Sequence, residues 1–64
     1  MSWAGFTSAL YALELSQKMG KDTRAIEDRL RDISRDCRDP YYSEMMASSL
    51  RLHGILNEKK PNLP

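Results

Sequence analysis

The chain has 64 residues, 30% of them charged, and a formal net charge of +1. That length allows one domain at most, and a chain so short buries only about 60% of the surface its unfolded form exposes. Cys37 is the only cysteine and His53 the only histidine, so an internal disulfide is excluded and a four-ligand structural zinc site is not supplied.

Self-association is the support left for so small a core. The near-neutral charge gives no overall field towards nucleic acid or a membrane. A lone cysteine suits a reducing compartment, most simply the cytoplasm. The opening stretch MSWAGFTSALYALELS lacks a basic leader region and is interrupted by Glu14. No apolar run approaches the roughly 20 residues of a bilayer span. The expectation is a soluble, cytoplasmic protein with no membrane partner.

Val is absent and Ile and Thr are scarce, so no strand pattern emerges. The fold class predicted is all-α: three short helices in a small bundle, completed by self-association. The first helix is expected near 3–19, stopped by Gly20, with Lys18 opposing the helix dipole. Trp3, Phe6, Leu10 and Leu13 form one apolar face at about 100° per residue. Ala4, Tyr11, Leu15 and Met19 form a second, well rotated from it. A helix apolar nearly all round is usually buried. One face therefore packs inside the subunit and the other meets a second chain; the sequence leaves open which is which. Trp3, Phe6, Leu10, Tyr11, Leu15 and Met19 are the candidate contact residues.

The second helix is expected at 23–38, with Asp22 or Thr23 as its N-cap. Ile26, Leu30, Ile33 and Cys37 give it a narrow seam spaced four, three, four, as on a coiled-coil edge. Away from that seam, Arg24, Arg31, Arg35 and Arg38 lie within an arc of about 60°. Four guanidiniums on one face suit successive phosphates. Yet residues 22–39 hold five arginines against six acids, a net of −1. Glu27, Asp28 and Asp32 stand at pairing distance in sequence from these arginines. A basic excess, a base-reading pattern and stacking aromatics are all missing. A self-neutralised outer face that contacts a protein is the favoured reading, and a nucleic-acid-binding accessory is the alternative.

Asp39-Pro40 reads as cap and first-turn proline of a third helix, expected at 40–59, with 61–64 as a flexible tail. Tyr42, Met45, Met46, Ser49, Leu52, His53 and Leu56 are assigned to its apolar face, and Glu44, Ala47, Arg51 and Glu58 to the opposite one. Gly54 either ends the helix, with Ile55 touching Leu50, or is passed over so that Leu56 extends the stripe. The continuous helix is favoured, because an interior glycine costs only about 1 kcal/mol.

Chemistry is scarce. His53 reads as a core-edge residue and Cys37 as a small buried hydrophobe, and no third group completes a nucleophile pair. A chain this short is expected to lack a cavity of ~300 Å³ or more. Neither enzymatic activity nor a cofactor is expected. Tyr41 is expected to be the more exposed of the two tyrosines, and reads equally as an interface aromatic or as packing at the start of the third helix. The whole resembles in type, not in sequence, the small accessory proteins of phages and mobile elements. The expected role is a regulatory one: a homodimer or higher oligomer that binds another protein.

Overall fold

Three helices, α1 (Trp3–Lys18), α2 (Arg24–Asp36) and α3 (Pro40–Leu52), make up the computed structural model, which describes residues 3–56. No strand occurs among the described residues. The tail expected at 61–64, the last turn expected at 57–59 and Glu58 lie outside them.

Each helix boundary is written in local chemistry. α1 ends on Gly20, whose φ of 69° lies in the left-handed region where a side chain is disfavoured. Lys21 N–H donates back to Ser16 O at 2.9 Å and Gly20 N–H to Gln17 O at 3.1 Å. These are the two bonds of a Schellman motif. At the start of α2 the two expected capping residues divide the work. Thr23 holds the N-cap position without a side-chain cap bond. Its hydroxyl instead donates to Glu27 Oε2 at 2.6 Å, while Asp22 Oδ1 accepts from Arg24 N–H at 3.0 Å. Asp39 caps α3 as expected, accepting from the backbone N–H of Tyr41 at 2.9 Å and of Tyr42 at 3.4 Å. Pro40 at the first helical position has no N–H to satisfy.

The expected extension of α3 past Gly54 does not occur. α3 stops at Leu52, and Gly54 takes φ 74°. Ile55 N–H then donates to Leu50 O at 2.9 Å and Gly54 N–H to Arg51 O at 3.0 Å, a second Schellman stop. Leu56 still reaches the core, but along a chain that has turned. The turn satisfies the end carbonyls and keeps the apolar contact, so the helix has nothing to gain by continuing.

Phe6, Ala9 and Leu13 of α1, Leu30 and Ile33 of α2, and Met46 and Leu50 of α3 form the buried core. Trp3, Leu10, Ile26, Cys37, Ile55 and Leu56 pack around it, partly buried. The narrow seam assigned to α2 therefore faces inward as expected. The face assigned to α3 is rotated. Leu50, left off the expected stripe, is fully buried, and Leu52, placed on it, is 84% exposed. Leucines two apart on a helix point about 160° from one another, so only one can be inside. Met46 fixes which, because Leu50 lies one turn above it on the same side.

α2 packs along both neighbours. α1 and α3 meet each other at two points. The rings of Trp3 and Tyr42 lie 5.6 Å apart, and His53 Nε2 lies 3.3 Å from Glu14 Oε2. Both pairs are separated by the same 39 positions in the chain (42 − 3 and 53 − 14). α1 and α3 consequently run parallel and in register, with α2 antiparallel beneath them.

Candidate interaction surface

With Phe6 and Leu13 at the centre of the core, the two apolar faces of α1 are told apart. Tyr11, Leu15 and Met19 are 69%, 46% and 58% exposed. At 100° per residue they stand opposite Leu13, together with Ala4, Ser8 and Ala12. Lys18, exposed in the last turn and about 20° round from Tyr11, edges this stripe as its nearest charge. Of the six candidate contact residues, these three form an outer surface. Phe6 is a correction: its ring is fully buried and belongs to the core. Trp3 and Leu10 also pack against the core, each partly exposed at its margin.

α3 carries an outer stripe of its own. Tyr41, Met45, Ser48 and Leu52 are exposed and spaced four, three, four. The sequence reading placed Met45 and Leu52 on the inner face of α3; the burial of Leu50 turns both outward.

Arg24, Arg31 and Arg35 share one side of α2, and each is paired there with a nearby acid. Arg24 pairs with Asp22 through Nη2 at 2.9 Å. This bond and the Arg24 backbone N–H hold the Asp22 carboxyl below its ordinary range, and the same pairing raises the Arg24 guanidinium. Arg35 pairs with Asp32 at 2.8 Å and approaches Asp36 at 3.7 Å. Arg31 departs from the expected role. It pairs with Asp28 at 2.8 Å and approaches Glu27 at 3.7 Å. It also donates through Nε and Nη2 to the Ile55 carbonyl, both at 3.4 Å. It is half-buried and ties α2 to the turn beyond α3. Arg38 alone of the four makes no hydrogen bond or ion pair among the described residues.

Arg38 borders a hollow of about 520 Å³ at the end of the bundle where α1 begins and α2 hands over to α3. Trp3, Tyr42, Met46 and Cys37 supply its apolar wall, and Asp36 and Asp39 share the rim with Arg38. The expectation that so short a chain has no room for such a volume is thus corrected. Three helix ends that meet at a corner leave open space that side-chain packing does not fill. An aromatic row leads into it from the core: Phe6 stacks on Trp3 at 5.5 Å, and Tyr42 meets Tyr41 edge to face at 5.2 Å. Trp3 next to an Asp-Pro corner was the available signal, but the sequence does not reveal that these segments converge.

Cys37 and His53 do not form a pair. They flank α3, whose thirteen residues hold them roughly 20 Å apart. The Cys37 thiol points to Asp39 O at 3.7 Å. His53 Nδ1 lies 2.9 Å from Ser49 O, and its contact with Glu14 is an ion pair only when the ring is protonated. Among the described residues no cluster of His, Cys, Asp or Glu is placed to hold a metal ion. No helix among them is long and apolar enough to cross a membrane. No family model, curated protein or solved structure matches the chain.

Proposed function

We propose that this chain is a non-catalytic interaction protein that self-associates through the outer side of α1 and acts by binding another protein and altering its activity. The observation that carries the reading is the apolar stripe of Tyr11, Leu15 and Met19, exposed on the side of α1 opposite the core and edged by Lys18. Soluble monomers rarely leave contiguous apolar surface without a use for it. Tyr11 is the kind of residue that anchors interfaces, a large rigid ring with a polar tip. Arg38, which makes no ion pair among the described residues, is the arginine left to meet an acidic partner segment, just past the end of α2. The single free thiol, Cys37, suits the reducing cytoplasm as the place of action.

The rival, a nucleic-acid-binding accessory, rests on Arg24, Arg31, Arg35 and Arg38 and is weakened by the pairing of the first three. Self-paired guanidiniums release few counterions and draw a polyanion weakly. The test is analytical ultracentrifugation of the wild-type chain beside Tyr11→Asp/Leu15→Asp. Wild type should sediment as a dimer or larger, and the variant as a monomer or an unfolded chain. Unchanged mass with full helicity in the variant would rule the reading out. Anisotropy of labelled duplex DNA and single-stranded RNA at about 50 and 200 mM salt covers the rival. Binding that collapses at the higher salt and is lost in Arg35→Glu/Arg38→Glu would replace the protein-binding reading.

A further inference from the structure

We infer that the self-association surface is a two-helix face, in which the α3 stripe Tyr41, Met45, Ser48 and Leu52 is an equal half, and that its occupant is the same face of a second copy related by a two-fold axis. This rests on the proposed self-association and specifies its geometry.

The direction of both stripes follows from the two contacts between α1 and α3. On α1, Trp3 and Glu14 point at α3. Tyr11 and Leu15 lie about 60–120° further round, and the core residues Phe6 and Leu13 lie on the other side of that line. On α3, Tyr42 and His53 point at α1. Met45 and Leu52 lie about 60–100° from them, in the sense opposite to the buried Met46 and Leu50. Because the two helices are parallel, these rotations bring both stripes to the same side of the molecule, away from α2. The matched register sets Leu52 at the level of Leu13, beside Tyr11 and Leu15. Two apolar seams, each with a four-three-four step, thus run side by side along one face.

Area selects the occupant. One helix of 16 residues presents a strip on the order of 24 Å by 10 Å, about 240 Å² in projection. That is well below the roughly 600–800 Å² of accessible surface per partner in a specific interface. Adding α3 nearly doubles the strip, and the relief of its side chains brings it near the lower end of that range. Charge points the same way. In a two-fold contact a residue close to the axis meets its own copy, so a charge there meets its like. Tyr11, Leu15, Met45, Ser48 and Leu52 carry none. Glu14 is drawn aside to His53, and Arg51 is paired with Glu44 at 3.0 Å on another side of α3. A charged partner would find only Lys18, at the far end of α1 past the level of Leu52, to select it, whereas a second copy finds an equally apolar strip between.

The experiment is sedimentation equilibrium with circular dichroism on wild type, Tyr11→Asp/Leu15→Asp and Met45→Glu/Leu52→Glu. The last pair lies outside the core, so helicity should persist. The expected result is a wild-type mass twice the 7.4 kDa of the chain, falling to the monomer mass in both variants. If only the α1 variant dissociates, self-association through α1 stands and the two-helix face is overturned. If wild type is itself monomeric at ~100 µM, both readings fail. Wild-type mass that climbs with concentration past the dimer overturns the closed two-fold contact. If Met45→Glu/Leu52→Glu loses helicity, Leu52→Lys alone serves as the α3 variant, and a dimer that survives it counts against the inference.

Discussion

The guanidinium of Arg31 meets the carbonyl oxygen of Ile55 through two nitrogens, each at 3.4 Å, so a charged side chain on α2 fastens the chain after α3 has ended. The carbonyl lies beyond α3, and among the described residues no backbone N–H donates to it. Arg31→Ala removes this link as well as the contact with Asp28, and should lower stability by about 1 kcal/mol. Arg35→Ala removes only an exposed pair and should change stability by less than about 0.5 kcal/mol. Urea unfolding of the two variants, followed by circular dichroism, separates a structural arginine from a surface one.

Gly54 and Gly20 hold positive φ with nothing within 4 Å of where a Cβ would stand. Replacement by alanine therefore brings backbone strain without a clash. Gly54→Ala and Gly20→Ala should each cost roughly 1–2 kcal/mol, and asparagine at either place should cost less. Thermal unfolding of the alanine and asparagine variants checks both size and order.

Leu50 and Leu52 differ by two positions and by opposite environments. Leu50→Ala should lose about 2–5 kcal/mol, a large part of what so small a domain has. Leu52→Ala should be within about 0.5 kcal/mol when measured at concentrations low enough for single chains. A larger loss for Leu52→Ala than for Leu50→Ala would mean that the inner side of α3 is the other one.

Acid should weaken the fold partly through Asp22. Its carboxyl is held below its ordinary value, first by the Arg24 side chain and then by the Arg24 backbone N–H. A lowered folded-state value makes ionised Asp22 favour the folded chain above the unfolded-state pKa of about 3.9. That contribution disappears as pH falls through the folded value. Wild type should therefore exceed Asp22→Asn in stability more at about pH 6 than at about pH 2. The effect is small, because both groups are open to solvent. Chemical unfolding at the two pH values measures it.

Punctuation was the legible part of this fold. Gly20 and Asp39-Pro40 act through their own backbone and nearest neighbours, and the helices around them lie close to where they are expected. Rotation was less legible. α2 has one narrow apolar seam and left no choice, while α3 has apolar residues on two sides. Leu50 became the inner one through contacts made from α1 and α2, which no period along α3 encodes. Gly54 posed the same difficulty. The apolar Leu56 argued for another turn, but the Schellman bonds returned it to the core without one. For the candidate surface, both faces of α1 could be read, and only the burial of Phe6 and Leu13 distinguished them. Arg31 could not be placed, because its acceptor is a carbonyl 24 positions away.

Two residue pairs, Arg31 with Ile55 and Glu14 with His53, carry side-chain hydrogen bonds between positions far apart in the chain. Those of Arg24, Arg35 and Arg51 join residues seven positions apart or fewer, and both Schellman stops and the Asp39 cap are complete within single turns. A chain built this way has low contact order and meets little loop-closure cost before its contacts form. Its folding should fall in the microsecond to millisecond range. Association into the proposed dimer would then be the slow step, second order in protein. The Trp3 indole, lying against Tyr42, would report a fast concentration-independent phase, while light scattering would follow a later one whose rate rises with concentration.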